Sequence, residues 1–352
     1  MVRRNETIRF ITEKPVLGFP IGAGTSRAHC SSDGTAFYDL TSSSATAGQD
    51  LFGISTDGGV KHLLRKLPID YTNVLVRDFF AGDQGLVTLL EADRRDGGTD
   101  GSPPRETDYF MSLEDEAGDV SSLVPLALRF RPVKVARFGS GDVLILGWDA
   151  GNELPVLALV KEDGTARRFI DFDERSRDET RNAPGGGAVK EVVVQERATL
   201  KALQGAAFVP FGTEVLLTYP GTAKAILGLA ASGQSRSIPV SIPAGFVLND
   251  VLVSSGGRGT LVLRVKESDP AKPASDDTGE HPKMRLYEYD AVHGSLIREL
   301  VFDKPSVPDV TCAPNSLLTA VFYDTIPDAD QSAANAAGAG AAKQLVVSTT
   351  HR

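Results

Sequence analysis

Ten polar residues stand near the starts of short apolar runs, where they could take part in binding chemistry. They are Arg27, His29, Asn73, Arg77, Arg131, Lys134, Gln204, Asn249, Asp250 and Asp309. The asparagine and aspartate oxygens suit a hard divalent cation such as calcium, whereas the arginines suit a carboxylate ligand. The alternative is that these groups bond to one another and to water, and bind nothing else.

No sequence motif assigns a catalytic residue. The histidines are scattered and never stand at metal-ligand spacing, and a structural role is the alternative for His29. The glycine-rich run at residues 184–187 lacks the Gly-Lys-Ser/Thr of a phosphate-binding loop, and no Gly-x-Ser-x-Gly elbow is present. The catalytic residues of any enzyme activity are therefore unassigned.

The composition describes a turn-rich protein that can bury a large core. Of 352 residues, 41% are hydrophobic and 24% are charged, with 35 Gly and 20 Pro. The formal net charge of -9, without a basic run, argues against nucleic acid or an anionic membrane as a partner. No apolar window is long enough to span a bilayer. The N-terminus has no signal-peptide region, although a trimmed exported chain would look the same.

Residues 133–173 contain four strand-length runs in succession. Runs 133–138 and 143–148 are apolar, a break at Asn152 and Pro155 follows, and run 156–160 leads into an Asp-Gly turn. Run 165–172 alternates charged with aromatic or branched residues, which is typical of a half-exposed outer strand. The pattern predicts an antiparallel four-stranded meander that is buried at one edge and exposed at the other.

The turn between the third and fourth strands recurs along the chain. Its glycines are Gly58, Gly118, Gly164, Gly233 and Gly294, spaced 60, 46, 69 and 61 residues apart. The third strands before these turns are predicted at 51–55, 109–113, 156–160, 225–230 and 284–289, and a sixth lies at 344–348. Four strands per repeat at this period indicate an all-β propeller.

The sixth repeat lacks its outer strand, and residues 7–12 offer one. If they supply it, the ring closes with the two termini side by side and no unpaired edge remains. The sequence thus predicts one domain of six blades, 26–68, 73–126, 132–173, 203–243, 247–302, and 308–352 completed by 5–14. The ten polar residues above would then lie on the innermost strands or the loops leading into them, facing the central channel.

The two cysteines fall at equivalent places in the first and last blades, which are neighbours in a closed ring. A disulfide between Cys30 and Cys312 would join the two blades and imply an oxidising compartment. The alternative is that both are small buried apolar side chains. Neither cysteine belongs to a Cys-x-x-Cys pair, so a zinc site is not expected.

The long connections all fall on one side of the predicted disc. They join second to third strands or one blade to the next, at 41–50, 91–108, 171–202, 266–283 and 324–343. Loops carry function when a rigid scaffold positions them, so this long-loop face is the predicted binding face. The alternative is that the loops are tolerated insertions, since they are rich in Ser, Ala, Gly, Pro and Asp.

The period, the strand pattern and the terminal closure resemble six-bladed β-propellers of the NHL, TolB and lactonase type, over essentially the whole chain. A lactonase of the gluconolactonase kind would hold a divalent metal in the channel with a Glu, two Asn and an Asp. The resemblance implies Asn73, Asn249, Asp250 and Asp309 as candidate ligands and leaves the Glu unplaced.

The sequence therefore favours a non-catalytic propeller that binds a protein or a small molecule through its long-loop face. A metal-dependent hydrolase or lyase, with its site at the channel mouth, is the alternative. A monomer is expected, and a calcium ion in the channel is the one cofactor considered.

Overall fold

The structure is a computed structural model. It describes residues 5–16, 24–31, 36–42, 49–63, 67–68, 70–94, 107–114, 120–170, 200–218, 225–253, 259–267, 284–302, 312, 318–324 and 343–351. Strand β1 (Asn5–Pro15) comes first, and antiparallel sheets built from consecutive strands follow it.

Four of the sheets have four strands each, paired in sequence order. The first sheet contains β2 (Gly24–Cys30), β3 (Ala36–Ser42), β4 (Gln49–Ser55) and β5 (Val60–His62). The second contains β6 (Tyr71–Gly82), β7 (Gly85–Arg94), β8 (Thr107–Glu114) and β9 (Val120–Pro125). The third contains β10 (Arg131–Arg137), β11 (Val143–Asp149), β12 (Leu154–Val160) and β13 (Ala166–Ile170). The fourth contains β14 (Ala207–Phe211), β15 (Glu214–Thr218), β16 (Ala225–Ala230) and β17 (Ser235–Pro239), preceded by helix α1 (Leu200–Gly205).

The remaining strands form one sheet of 7 strands. Its fifth-repeat strands are β18 (Phe246–Val253), β19 (Thr260–Glu267), β20 (Met284–Asp290) and β21 (Ser295–Phe302), and its last-repeat strands are β22 (Leu318–Asp324) and β23 (Lys343–His351). Strand β1 lies between the two groups. It pairs in parallel with β21 from Asn5 to Ile8, and antiparallel with β23 from Arg9 to Pro15.

The first five predicted third strands are confirmed as β4, β8, β12, β16 and β20, and a strand, β23, is present at the sixth predicted position. Strand β11 is buried along most of its length and β13 is mostly exposed, as their apolar and alternating patterns indicate. Several boundaries were wrong, among them the following two. Pro155 was read as part of a break, but it lies inside β12, where it is paired with Trp148. A proline has no amide hydrogen to donate, but it is tolerated there because it is only the second residue of the strand. The predicted loop 91–108 begins too early, because β7 continues to Arg94.

The sheets pack against their neighbours in chain order. The first and second share an apolar core, as do the second, third and fourth, and the fourth and fifth. The first strands β2, β6, β10, β14 and β18 adjoin one another in that order. Phe52 and Ile54 of the first sheet also pack against Val16 and against Val347 of β23. Packing therefore joins the first and last parts of the chain as well as consecutive sheets.

An ion-pair network fixes β1 on the fifth repeat. Arg298 on β21 donates from Nε to the buried carboxylate of Glu288 on β20, and its Nη1 lies 2.9 Å from Oε2 of Glu6 on β1. Ile8 of β1 is buried beside Leu252 and Leu300. The N-terminal strand is thus held by backbone pairing, by apolar contact and by charge.

Repeated glycines shape the turns between third and fourth strands. Gly58, Gly164, Gly233 and Gly294 have φ of 86°, 83°, 84° and 67°, in the left-handed region that a Cβ disfavours. The fifth repeated glycine, Gly118, lies outside the described residues. At Gly164 a Cβ would also stand 2.2 Å from the carbonyl oxygen of Pro125 at the end of β9. This turn of the third sheet therefore touches the second sheet backbone to backbone.

We expect Gly164→Ala to lower the free energy of unfolding by about 2–3 kcal/mol, since it adds a backbone overlap to the cost of positive φ. Gly212→Ala is the matched control, because Gly212 also has positive φ (58°) but no atom lies within 4 Å of the point that a Cβ would occupy there. The control should cost about 1 kcal/mol. Urea unfolding of the two variants measures the difference, and equal losses would contradict the close contact between the two sheets.

Candidate functional site

In each four-stranded sheet the antiparallel order places four strand ends at one edge. The first and third strands begin there, and the second and fourth end there. We call this the long-loop edge, because the long connections predicted from the sequence leave from it. The connections themselves, including residues 95–106 and 171–199, lie outside the described residues.

Four polar side chains meet near the long-loop edge between the second and third sheets. They are Arg77 on β6, Glu91 on β7, Tyr109 on β8 and Arg131 at the start of β10, and we call them the Glu91 cluster. Glu91 is directly opposite Tyr109 in the β7–β8 ladder. A β-bulge between Val76 and Asp78 leaves Arg77 as the extra residue of β6. Bulges redirect side chains, and this one accompanies the approach of Arg77 to Glu91.

Arg77 and Glu91 form a two-pronged ion pair. Arg77 Nε donates to Glu91 Oε2 at 2.7 Å, and Arg77 Nη2 donates to Glu91 Oε1. The hydrogen bond to Glu91 is the largest cause of the raised pKa of the Arg77 guanidinium. Such paired bonds fix orientation as well as charge, so Glu91 is held in one position.

Arg131 is the second guanidinium of the Glu91 cluster, and its contact is looser. Its Nη2 lies 3.8 Å from Glu91 Oε2, which is beyond hydrogen-bond distance. Its side chain is 42% exposed, compared with 14% for Glu91. Arg131 therefore presents donor groups toward solvent at the long-loop edge while Arg77 is committed to Glu91.

Tyr109 adds a half-buried hydroxyl to the cluster. Burial is the largest cause of the rise in its pKa above 10.0, and the nearby charge of Glu91 adds to it, while Arg131 and Arg77 oppose it. The hydroxyl is therefore neutral at physiological pH and can donate a hydrogen bond.

Tyr109 predicts a specific pH dependence of stability. Since its pKa is higher in the folded protein, the folded state holds the phenolic proton more tightly than the unfolded chain does. The contribution to stability is complete below pH 10 and is lost as the pH rises through the raised pKa. The urea midpoint of the wild type should therefore fall relative to that of Tyr109→Phe as the pH rises above about 10. A midpoint difference that stays constant over that range would contradict the raised pKa.

Two further polar networks extend along the same edge of the second sheet. Tyr71 donates to Asp108 at 3.0 Å, and Arg94 donates to the same carboxylate at 2.7 Å. Asn73 has φ of 50° and donates from its side chain to Asp93 at 2.9 Å. The long-loop edge of this sheet is thus lined by ordered charged and aromatic groups.

The structure brings together three of the ten residues singled out from the sequence. Asn73, Arg77 and Arg131 all lie near the long-loop edge of the second and third sheets. Lys134 is on the same strand as Arg131, but it is buried and lies 3.7 Å from Asp78 Oδ1. Gln204 is exposed on helix α1 rather than on a first strand, which begins only at Ala207.

The other candidates lie elsewhere. Arg27 and His29 are on β2, where the His29 ring meets Phe79 edge-on at 5.5 Å between centroids. Asn249 and Asp250 are on β18, and Asp250 accepts a hydrogen bond from Arg264 at 3.1 Å. Asp309 lies outside the described residues.

Four first strands carry a β-bulge followed by a charged residue. The bulges precede Arg27 on β2, Asp78 on β6, Lys134 on β10 and Asp250 on β18. The repeated units therefore share not only their turns but also a charged residue directly after the bulge of the first strand. Sequence reasoning found three of these residues and missed Asp78, because the position is defined by the pairing register.

The described candidates do not fit the divalent metal site of the lactonase resemblance. The Asn73 amide is bonded to Asp93, and the Asp250 carboxylate is bonded to a guanidinium, whose charge opposes a cation. Within the described ranges no group of three His, Cys, Asp or Glu side chains is arranged to hold a metal ion. No helix among these residues is long and apolar enough to cross a membrane.

No protein-family model and no curated protein matches the chain. A member of the DUF4221 family from Bacteroides vulgatus is similar over 98% of this chain and 97% of its own, with 7% identity and a TM-score of 0.49. The Pan2 WD40 domain of Neurospora crassa is similar over 94% and 90%, with 8% identity and a TM-score of 0.46. An oligogalacturonate lyase in complex with manganese is similar over 94% and 78%, with 13% identity and a TM-score of 0.42.

Likenesses of this size carry no argument about function. The class of protein follows from the chain itself: consecutive four-stranded antiparallel meanders, packed in order with their first strands adjoining, have the architecture of a β-propeller.

Proposed function

We propose that residues 1–352 form a single six-bladed β-propeller whose last blade takes β1 as its outer strand. The antiparallel pairing of β1 with β23 and the packing of the first sheet against Val347 support this closure. A closed ring gives every blade two neighbours and a rigid frame, which is the setting in which the loops of one face can be positioned for binding.

The propeller binds a protein or small-molecule ligand on its long-loop face and does not catalyse a reaction on it. The Glu91 cluster is the observation that carries this proposal. It holds a fixed ion pair beside a half-exposed guanidinium and a neutral hydroxyl, at the junction of two blades. Ordered donors at a junction suit recognition, since their positions are set before the ligand arrives.

A thermal-shift screen tests the proposal. The wild type, Arg131→Ala and Arg77→Ala are screened against carboxylic acids, amines, neutral sugars and short peptides. Compounds that raise the Tm of the wild type should lose their effect in the two variants. The control is Arg167→Ala, which removes an exposed ion pair with Asp142 at the opposite edge of the third sheet and should respond as the wild type does.

Two outcomes of the screen contradict the proposal. Stabilising compounds that act equally on the wild type, Arg131→Ala and Arg77→Ala would place binding away from the Glu91 cluster. A compound that is chemically converted during incubation with the wild type, and not with Arg131→Ala, would show catalysis at this face. Recovery of the stabilising compounds in unchanged form would support a binding function without catalysis.

The metal-dependent hydrolase or lyase is not favoured by any contact among the described residues. Manganese belongs to the oligogalacturonate lyase named above, and calcium in the channel stays a prediction. Elemental analysis of protein purified without chelator is the direct measurement. A stoichiometric divalent metal would contradict the non-catalytic proposal and favour the enzyme.

A further inference from the structure

We propose that the ligand of the long-loop face carries a carboxylate group, and that Arg131 holds this carboxylate at the Glu91 cluster. The inference rests on the proposed function and names the chemical class of its ligand. It follows from the unequal way in which Arg77 and Arg131 contact the carboxylate of Glu91.

Both oxygens of Glu91 accept hydrogen bonds without Arg131. A carboxylate offers about four lone-pair positions. Arg77 occupies both oxygens of Glu91 with two donors. Arg131 remains at 3.8 Å, and no hydrogen bond joins it to a side chain of the described residues.

The charges of the cluster leave one positive charge in excess. Two guanidinium groups, Arg77 and Arg131, face the single carboxylate of Glu91. A cationic ligand is therefore disfavoured, and an anion is attracted to the guanidinium that is not committed. The planar fork of arginine matches a carboxylate with two parallel hydrogen bonds.

The surroundings favour a single negative charge over a double one. Asp93 and Asp108 lie farther along the same edge of the second sheet, where Asp93 accepts a hydrogen bond from Asn73 and Asp108 pairs with Arg94. A phosphate dianion would be repelled by these carboxylates more strongly than a monovalent carboxylate would. One excess guanidinium also balances one carboxylate.

The backbone holds Arg131 in place for this role. Arg131 is paired with Trp148 in the β10–β11 ladder. A Cβ added to the neighbouring Gly147 would stand 2.4 Å from the Arg131 carbonyl oxygen, so the two strands are in close contact there. Trp148 is half-buried and packs on the core. Since residues directly opposite in a ladder share a face, Trp148 and Arg131 lie on the same face of the third sheet. The site suits a carboxylate attached to an apolar or ring-shaped body.

Trp148 is the only tryptophan of the chain, so tryptophan fluorescence reports on this site. The probe is sodium benzoate, titrated into the wild type against matched sodium chloride. Benzoate is small, so a dissociation constant of about 10 mM is expected. Its binding should change the fluorescence of Trp148 saturably, whereas benzamide, its neutral counterpart, should not.

Substitutions then assign the effect to Arg131. Arg131→Gln should weaken benzoate binding by about tenfold or more, since it removes the charge and the fork. Arg131→Lys should recover part of the loss, because it keeps the charge without the two parallel donors. Arg167→Gln, at the opposite edge of the third sheet, should bind as the wild type does.

Three results would overturn the inference. If benzoate does not change the Trp148 fluorescence of the wild type saturably, the proposed carboxylate site is wrong. Inorganic phosphate that binds more tightly than benzoate, with the same dependence on Arg131, assigns the site to phosphate. A neutral or cationic compound from the thermal-shift screen that depends on Arg131, when benzoate does not, shows the ligand class to be wrong while the long-loop face is retained. If no compound depends on Arg131 or Arg77, the proposed function fails as well.

Discussion

Replacing Asp78 with alanine is expected to lower the free energy of unfolding by about 3–5 kcal/mol. Asp78 is fully buried at 0% exposure, and its Oδ2 accepts a hydrogen bond from the Val135 amide at 2.8 Å. Its Oδ1 lies 3.7 Å from the ammonium of Lys134, which is 8% exposed. The substitution removes a carboxylate partner from a buried ammonium and from a buried amide, and both losses carry a desolvation cost.

The interactions that Asp78→Ala removes join the second sheet to the third. Asp78 belongs to β6, whereas Val135 and Lys134 belong to β10. Urea unfolding followed by circular dichroism measures the effect from the midpoint and the slope. Because the interaction joins neighbouring sheets, we also expect the substitution to accelerate amide hydrogen exchange in β10 more than in β13.

Three variants separate the causes of the Asp78 effect. Asp142→Ala, which breaks the exposed pair with Arg167, should cost less than about 1 kcal/mol. Asp78→Asn keeps an acceptor for the Val135 amide and should cost less than Asp78→Ala. Asp78→Leu combined with Lys134→Met replaces the pair with apolar groups and should recover part of the loss. A cost for Asp78→Ala no larger than that of Asp142→Ala would contradict the role of the buried pair.

The strands could be predicted from the sequence because burial demands apolar residues. Strands β12 and β16 stand out as continuous apolar runs, and the glycines that follow them need positive φ. Strand ends were less visible. Thr107 belongs to β8, and its polar side chain gives no apolar signal, since its extended conformation comes from pairing with Asp93 on β7.

The candidate site was only partly visible for a related reason. Arg77 and Arg131 could be selected as polar residues on first strands. Glu91 could not, because it follows an apolar run inside β7 and its role depends on a bulge that brings Arg77 to it. Its one signal was a lone carboxylate closing an apolar run, and the sequence alone does not show which guanidinium such a carboxylate meets. Pairing register therefore decides the site, and register is a property of the whole sheet.

The second large effect concerns the disulfide that joins Cys30 to Cys312. Their Cα atoms are 5.6 Å apart, and they are 282 residues apart in the sequence. A cross-link over so long a segment restricts the unfolded chain strongly. In the chain-entropy description, its removal lowers the free energy of unfolding by about 5 kcal/mol at 25 °C. We therefore expect Cys30→Ala/Cys312→Ala to unfold at a much lower urea concentration than the oxidised wild type.

Alanine is the appropriate replacement because Cys312 is 2% exposed and packs with Val16, Phe52 and Ile54. A serine hydroxyl there would add a desolvation cost unrelated to the cross-link.

The reduced wild type is the matched control for the loss of the disulfide, since it keeps both sulfur atoms and their packing. If the cross-link is the cause, the reduced wild type and the alanine variant should unfold at similar urea concentrations, both far below the oxidised protein. Thiol titration of the denatured, non-reduced protein should find no free thiol. Two free thiols would contradict the bond. An oxidised protein no more stable than the reduced one would show that β1 and the apolar contacts between the first sheet and β23 hold the two ends of the chain together without it.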